Sequence, residues 1–175
     1  MSLPPPQAGA PYRVGFVCLG NICRSPMAEA VLTRMVTDAG LADQVSVDSC
    51  GTGPWHVGEP MDARAAAHLV AEGYAAEAHR GQQLDSGWRS RDLLLAMDSA
   101  NLRDAADVVG ESDRLRLFRS LDPEATPGDV DVPDPYYGGD DGFSDVLAMV
   151  ERTCARLLSE LERLLGSGPG SRGDR

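Results

Sequence analysis

The chain has 175 residues, room for one domain with a substantial core and too few for two of ordinary size. Its 27 acidic residues outnumber 16 basic ones, and the net charge of -11 argues against nucleic acid or anionic membranes as long-range partners. The sequence lacks an apolar run of the ~20 residues that a membrane span needs. Its start, Met1-Ser2-Leu3-Pro4-Pro5-Pro6, is unlike a secretory signal, so a cytoplasmic protein is expected. Cys18, Cys23, Cys50 and Cys154 are scattered through the chain and do not resemble a disulfide framework, which implies reduced thiols.

Residues 1–11 and 166–175 are rich in Pro, Gly and Ser and are expected to be flexible tails around a single domain at 12–165. Within it, Val14-Gly15-Phe16-Val17, Val45-Ser46-Val47, Leu93-Leu94-Leu95-Ala96-Met97 and Leu115-Arg116-Leu117-Phe118 read as strands. A helix is predicted from Pro26 to about Gly40, another capped by Asp62 and ending near Gly73, and a third capped by Asp98. The last helix carries Phe143, Val146, Leu147, Val150, Cys154, Leu157, Leu158, Leu161 and Leu165 at helical spacing. Strands alternating with helices predict a three-layer α/β/α fold around a four-stranded parallel sheet, with ligands at the carboxyl ends of the strands.

The informative segment is Val17-Cys18-Leu19-Gly20-Asn21-Ile22-Cys23-Arg24-Ser25-Pro26, which leaves a strand, turns, and enters a helix. Amide groups in such a loop, with the positive end of the helix dipole, form a concave anion site. Arg24 adds a planar fork matched to two phosphate oxygens. The same field favours a thiolate at Cys18, and the Ser25 hydroxyl is placed to donate to that sulfur. A lone buried Cys is otherwise a small core residue, and a Gly-Asn turn before a Pro-started helix is ordinary punctuation; Arg24 decides for the functional reading. Cys18 and Cys23 lack the C-x2-C spacing and the three His are scattered, so neither a metal site nor a cofactor is expected. Trp55, in a Gly- and Pro-rich loop, and the pair Tyr136 and Tyr137 are candidates to wall a slot for a flat ring, although Trp55 fits a core plug equally well.

Cys18 to Arg24 gives the C-x5-R phosphate loop of cysteine-based phosphatases, and the string from Val17 to Pro26 resembles the low-molecular-weight protein tyrosine phosphatases, in particular bacterial, actinobacterial-like members. Val47-Asp48-Ser49, Gly53-Pro54-Trp55-His56, Met97-Asp98 and Asp134-Pro135-Tyr136-Tyr137-Gly138-Gly139 extend the resemblance over the ordered chain. It implies that Cys18 is the nucleophile, that Leu19, Gly20, Asn21, Ile22, Cys23, Arg24 and Ser25 bind the phosphate, and that Asp134 is the general acid. It also implies that Asn21, Ser25, Ser49 and His79 brace the loop and that Trp55, Tyr136 and Tyr137 flank a phosphotyrosine ring. The expected partners are phosphotyrosine proteins met by a monomer, with neither nucleic acid nor membrane involved. Cys50 stands where a small Ala is usual, and the tails exceed the common core.

Arsenate reductases of related fold relay a disulfide through closely spaced cysteines, which Cys50 and Cys154 do not provide. Protein arginine phosphatases usually place Thr where Ile22 stands, so phosphotyrosine is favoured and phosphoarginine is the alternative. A non-catalytic phosphopeptide-binding module would have no use for Cys18 and Asp134 together. Cys23 lies in the same loop and is a candidate to capture an oxidised Cys18 as a disulfide; the plainer reading is that it packs beneath the loop.

Overall fold

The computed structural model describes residues 2–166. In chain order the elements are β1 (Tyr12–Cys18), α1 (Arg24–Asp38), β2 (Val45–Gly51), α2 (Ala63–Ala71), β3 (Leu93–Ala96), α3 (Ser99–Val109), β4 (Leu115–Leu117) and α4 (Asp140–Gly166). All strand pairs are parallel and the order across the sheet is β2-β1-β3-β4. The chain steps from β1 to β2 on one side and then returns past β1 to β3. The carboxyl end of β1 therefore stands at the point where the winding reverses, which is where open α/β sheets form a crevice.

Strand alternation separates the two faces. Tyr12, Val14, Phe16 and Cys18 of β1, with Leu93 and Leu95 of β3, join the cluster that holds Met27, Val31, Phe143, Val150 and Leu157 from α1 and α4. Val17, Cys50, Leu94 and Leu115 point the other way, onto Trp88 and onto Ala105 of α3. The expected three layers and four parallel strands are therefore present. Helix α4 starts three residues before Phe143, with Asp140 and Asp141 in its first turn where carboxylates complement the dipole. Helix α1 begins at Arg24, two residues before Pro26, so Ser25 and Arg24 lie within its first turn.

The expectation of a flexible segment at 1–11 needs correction over residues 2–7. Leu3 is buried in the main core, the Tyr12 hydroxyl donates to the Pro4 carbonyl at 2.9 Å, and the Gln7 N–H donates to Asp92 Oδ1 at 2.6 Å. Arg114 and Arg116 donate to the Pro5 and Ser2 carbonyls at 2.8 and 3.0 Å. A composition poor in apolar residues hid a single apolar anchor and a set of backbone carbonyls that arginines could claim. Beyond Gly166, the C-terminal tail expected at 166–175 lies outside the described residues.

Candidate active site

Cys18 ends β1 and Arg24 opens α1, so the five residues between them must reverse the chain in a tight arc. Asn21 makes this possible by adopting φ 57, a left-handed conformation that Asn tolerates better than most residues. The carbonyls of the arc are claimed from outside: Cys18 O by Thr52 N at 2.9 Å, Leu19 O by Gly53 N at 2.9 Å, and Ile22 O by Asp62 N at 2.9 Å. Cys23 O accepts from Met27 N at 3.1 Å and Asn21 O faces His79 Nε2 at 2.8 Å. In a planar trans peptide each carbonyl opposes the next N–H, so amides of Leu19, Gly20, Ile22, Cys23 and Arg24 turn to the concave side. The helix terminus adds its partial positive charge there.

The Asn21 side chain fixes the hydroxyl protons around it. Its Oδ1 accepts from the Gln82 backbone N–H at 2.9 Å, which leaves Nδ2 to donate to Ser25 Oγ and Ser49 Oγ, each at 2.9 Å. Each serine then directs its own proton onward. Ser49 donates to Glu29 Oε2, while Ser25 Oγ lies 2.9 Å from Cys18 Sγ and 3.4 Å from the Cys50 carbonyl, both within reach of its proton. The Asn21 N–H also points at the sulfur, at 3.2 Å. The Asn21 N–H and the Ser25 hydroxyl thus both face the Cys18 sulfur. His79 stands behind this network, its Nδ1 3.6 Å from Glu29 Oε2.

Arg24 is 3 % exposed, and two carboxylates and a carbonyl hold its fork. Nη1 donates to Asp98 Oδ2 at 2.6 Å and to Val132 O at 3.0 Å, while Nη2 reaches Asp134 Oδ2 at 3.4 Å. Burial works against its charge, but Cys18, Asp98 and Asp134 together raise its pKa, so the guanidinium stays charged. Asp98 works twice, since its Oδ1 caps α3 through Asn101 N at 2.7 Å. Cys23 is buried within the same arc, and burial, with Asp62 and the charge of Cys18 next, pushes its thiol up to about 12.

The cleft above the arc has a volume of about 340 Å³ and is lined by Cys18, Leu19, Gly20, Ile22, Cys23, Arg24, Trp55, His56, Asp134, Tyr136 and Tyr137. Trp55 is 62 % exposed, so it is a wall and not a core plug. Its ring lies against Gly53, where an added Cβ would fall 1.8 Å from Trp55 Cζ3. Tyr136 and Tyr137 stand edge to face at 4.9 Å on the other wall, and the Arg64 guanidinium sits 5.4 Å from the Tyr136 ring centroid. The sequence reading had Ser49 and His79 near the loop, and they lie behind it. It did not single out Glu29, Gln82 and His56, nor the ion pair of Asp98 with Arg24. Residues 61 positions apart meet here through a backbone N–H, for which sequence has no local signal.

A thiol with two donors on its sulfur, a ring of inward amides, a fixed guanidinium and a carboxylate across the cleft define a phosphate-handling α/β protein with a cysteine in its anion loop. Comparison with known proteins narrows this class. The profile of the low molecular weight phosphotyrosine protein phosphatases matches residues 13–165. A Streptomyces coelicolor low molecular weight protein-tyrosine-phosphatase is 51% identical over 152 residues, covering 85% of this chain and 92% of that one. The structure of YfkJ from Bacillus subtilis superposes with a TM-score of 0.82 at 31% identity, covering 89% of this chain and 97% of that one. An arginine phosphatase from Drosophila superposes with a TM-score of 0.76 at 32% identity over 85% of this chain and 97% of that one. The chain belongs to the low molecular weight phosphotyrosine protein phosphatase family and is a hydrolase of the protein tyrosine phosphatase type.

Proposed function

We propose that this phosphatase uses Cys18 as nucleophile, Arg24 and the amides of residues 19–24 as the phosphate clamp, and Asp134 as general acid. The observation that carries the reading is that Cys18, Arg24 and Asp134 line one cleft, with the Ser25 hydroxyl 2.9 Å from the sulfur. The sulfur attacks phosphorus in line, forming the S–P bond as the bond to the tyrosyl oxygen breaks. Arg24 and the amides hold the three non-bridging oxygens, where charge is spread in the transition state. Asp134 gives its proton to the departing phenolate oxygen and then, as a carboxylate, takes one from the water that hydrolyses phosphocysteine. Ser25 steadies the thiolate before attack and as leaving group.

Trp55, Tyr136 and Tyr137 are read as the walls of a phosphotyrosine slot, and Asn21, Ser49 and His79 as the brace of the loop. The catalytic unit is residues 12–165. The enzyme is read as a cytoplasmic monomer acting on phosphotyrosine proteins; the acidic surface supports this, as does the lack, among the described residues, of a helix long and apolar enough to cross a membrane. Cys23 is the candidate partner for an oxidised Cys18, and reversible peroxide inactivation that survives Cys23→Ser would count against it.

The test is stopped-flow hydrolysis of p-nitrophenyl phosphate by wild type and Cys18→Ser, followed by phosphotyrosine and phosphoarginine peptides. A burst that vanishes in Cys18→Ser, with preference for phosphotyrosine, is expected. A phosphoarginine preference would keep the nucleophile and overturn the substrate, and turnover by Cys18→Ser at the wild-type rate would overturn the mechanism.

A further inference from the structure

The segment that delivers Asp134 to the cleft has little secondary structure of its own, yet it is fastened at residues 129, 131 and 132. Asp129 Oδ1 accepts from Arg119 Nη1 at 2.8 Å, and the same nitrogen reaches the Asp131 carbonyl at 3.1 Å. Asp131 Oδ1 accepts two bonds from the first residue of α3, Ser99 N–H at 2.9 Å and Ser99 Oγ at 2.7 Å. Val132 N–H donates to Met97 O at 2.7 Å, and Val132 O accepts from Arg24. The N-terminus of α3 is thus a shared mount: Asp98 there holds the phosphate-clamping arginine, and Ser99 beside it holds the strap of the acid.

We infer that Asp131 is a positioning residue for the general acid, acting through its clasp on Ser99 to hold Asp134 at a set distance from the phosphate loop. This rests on the reading of Asp134 as the acid. Asp131 is exposed, yet its Oδ1 is turned to a helix terminus, where it accepts from both an N–H and a hydroxyl of one residue. It does not line the cleft, so its effect must be carried by Asp134. Two residues separate clasp and acid, short enough that releasing the clasp widens the range of positions open to the carboxyl.

A general acid matters in proportion to how poorly the leaving group departs unaided, and this supplies the test. kcat/KM is measured for phenyl phosphate, a poor leaving group, and p-nitrophenyl phosphate, a good one, on Asp131→Ala, Asp131→Asn, Asp134→Ala and Asp131→Ala/Asp134→Ala. Asp134→Ala is expected to lose about 100-fold more with phenyl phosphate than with p-nitrophenyl phosphate. Asp131→Ala is expected to lose about tenfold more, as suits a displaced rather than missing group. Asp131→Asn, which keeps the Oδ1 acceptor, should recover most of that loss, and Asp131→Ala should add nothing in the Asp134→Ala background.

Equal losses on both substrates in Asp131→Ala, with Asp134→Ala discriminating between them, would overturn the positioning role alone. If Asp134→Ala itself treats the two leaving groups alike, the assignment of the acid falls and the inference falls with it.

Discussion

At the scale of single residues, the site depends on where protons are directed. The Asn21 amide has one orientation because a backbone N–H faces its oxygen, and its nitrogen therefore donates to Ser25, whose hydroxyl lies beside the sulfur of Cys18. The other cysteines are held as thiols by burial. Burial pushes Cys23 up to about 12 and raises Cys50 and Cys154 as well. Since only thiolates alkylate quickly, a limiting dose of iodoacetamide at pH 7 should modify Cys18 first, as read by peptide mass. Prior labelling of Cys23 would contradict the assignment of charge within the arc. Cys18, Arg24 and Ser25 were legible in the sequence because they are local: a thiol, a fork and a hydroxyl within eight positions of a strand-to-helix turn. Asp134 was not legible locally, because its segment reads as a turn and only the resemblance marked it. Glu29 and Gln82 were invisible, since nothing in a helical Glu or a loop Gln announces the distant Asn that needs it.

At the scale of elements, the phosphate loop is shaped by its neighbours as much as by its own residues. Gly51, at the end of β2, is directly beneath it: a Cβ there would lie 2.8 Å from Leu19 O and 3.1 Å from Asn21 N. Both atoms are backbone and cannot swing aside. Gly51→Ala should therefore cut kcat/KM by about 100-fold while circular dichroism stays native, because a shift of about 1 Å in the clamp has an effect of that order. A second anchor ties α4 to the segment entering the acid strap. Asp122 is bound by Arg152 Nε at 2.7 Å and Arg119 Nε at 3.0 Å. Arg152 foremost, with the Glu124 N–H and Arg119, holds the Asp122 carboxyl down at about 2. A lowered folded-state value means that this stability is complete above the unfolded value near ~4 and is lost as pH falls toward about 2. Asp122→Asn should remove roughly 2 kcal/mol at neutral pH and flatten the loss of stability between those limits in urea titrations. Two helix starts were legible from their caps, Asp62 and Asp98, because capping chemistry is written in adjacent residues, whereas α1 starts two residues ahead of the expected Pro26. Strand lengths were not: β1 and β2 extend to Cys18 and Gly51, past the apolar runs, since the ladder between them continues through backbone bonds to which Ser49 and Gly51 are indifferent.

At the scale of the whole molecule, charge and shape divide the labour. On the proposed reading Arg24 and the loop amides draw phosphate at short range, while the net charge of -11 repels anions at longer range. Phosphotyrosine peptides with acidic flanks should consequently gain about threefold in kcat/KM between low salt and 0.3 M salt, and those with basic flanks should lose as much. Equal salt responses for the two peptides would show that the surface field does not reach the flanks. The polarity of the sheet also separates the two ends of the protein. The catalytic cleft crowns the carboxyl ends of the strands, whereas the segment from Ser2 to Gln7 is pinned by Tyr12, Asp92 and Arg114 at their amino ends. A linker joined at Ser2 thus leaves from the underside of the molecule. Immobilised on a sensor chip or fused to a carrier by that route, the enzyme would present its mouth outward, whereas coupling through surface carboxylates would risk gluing the mouth to the support.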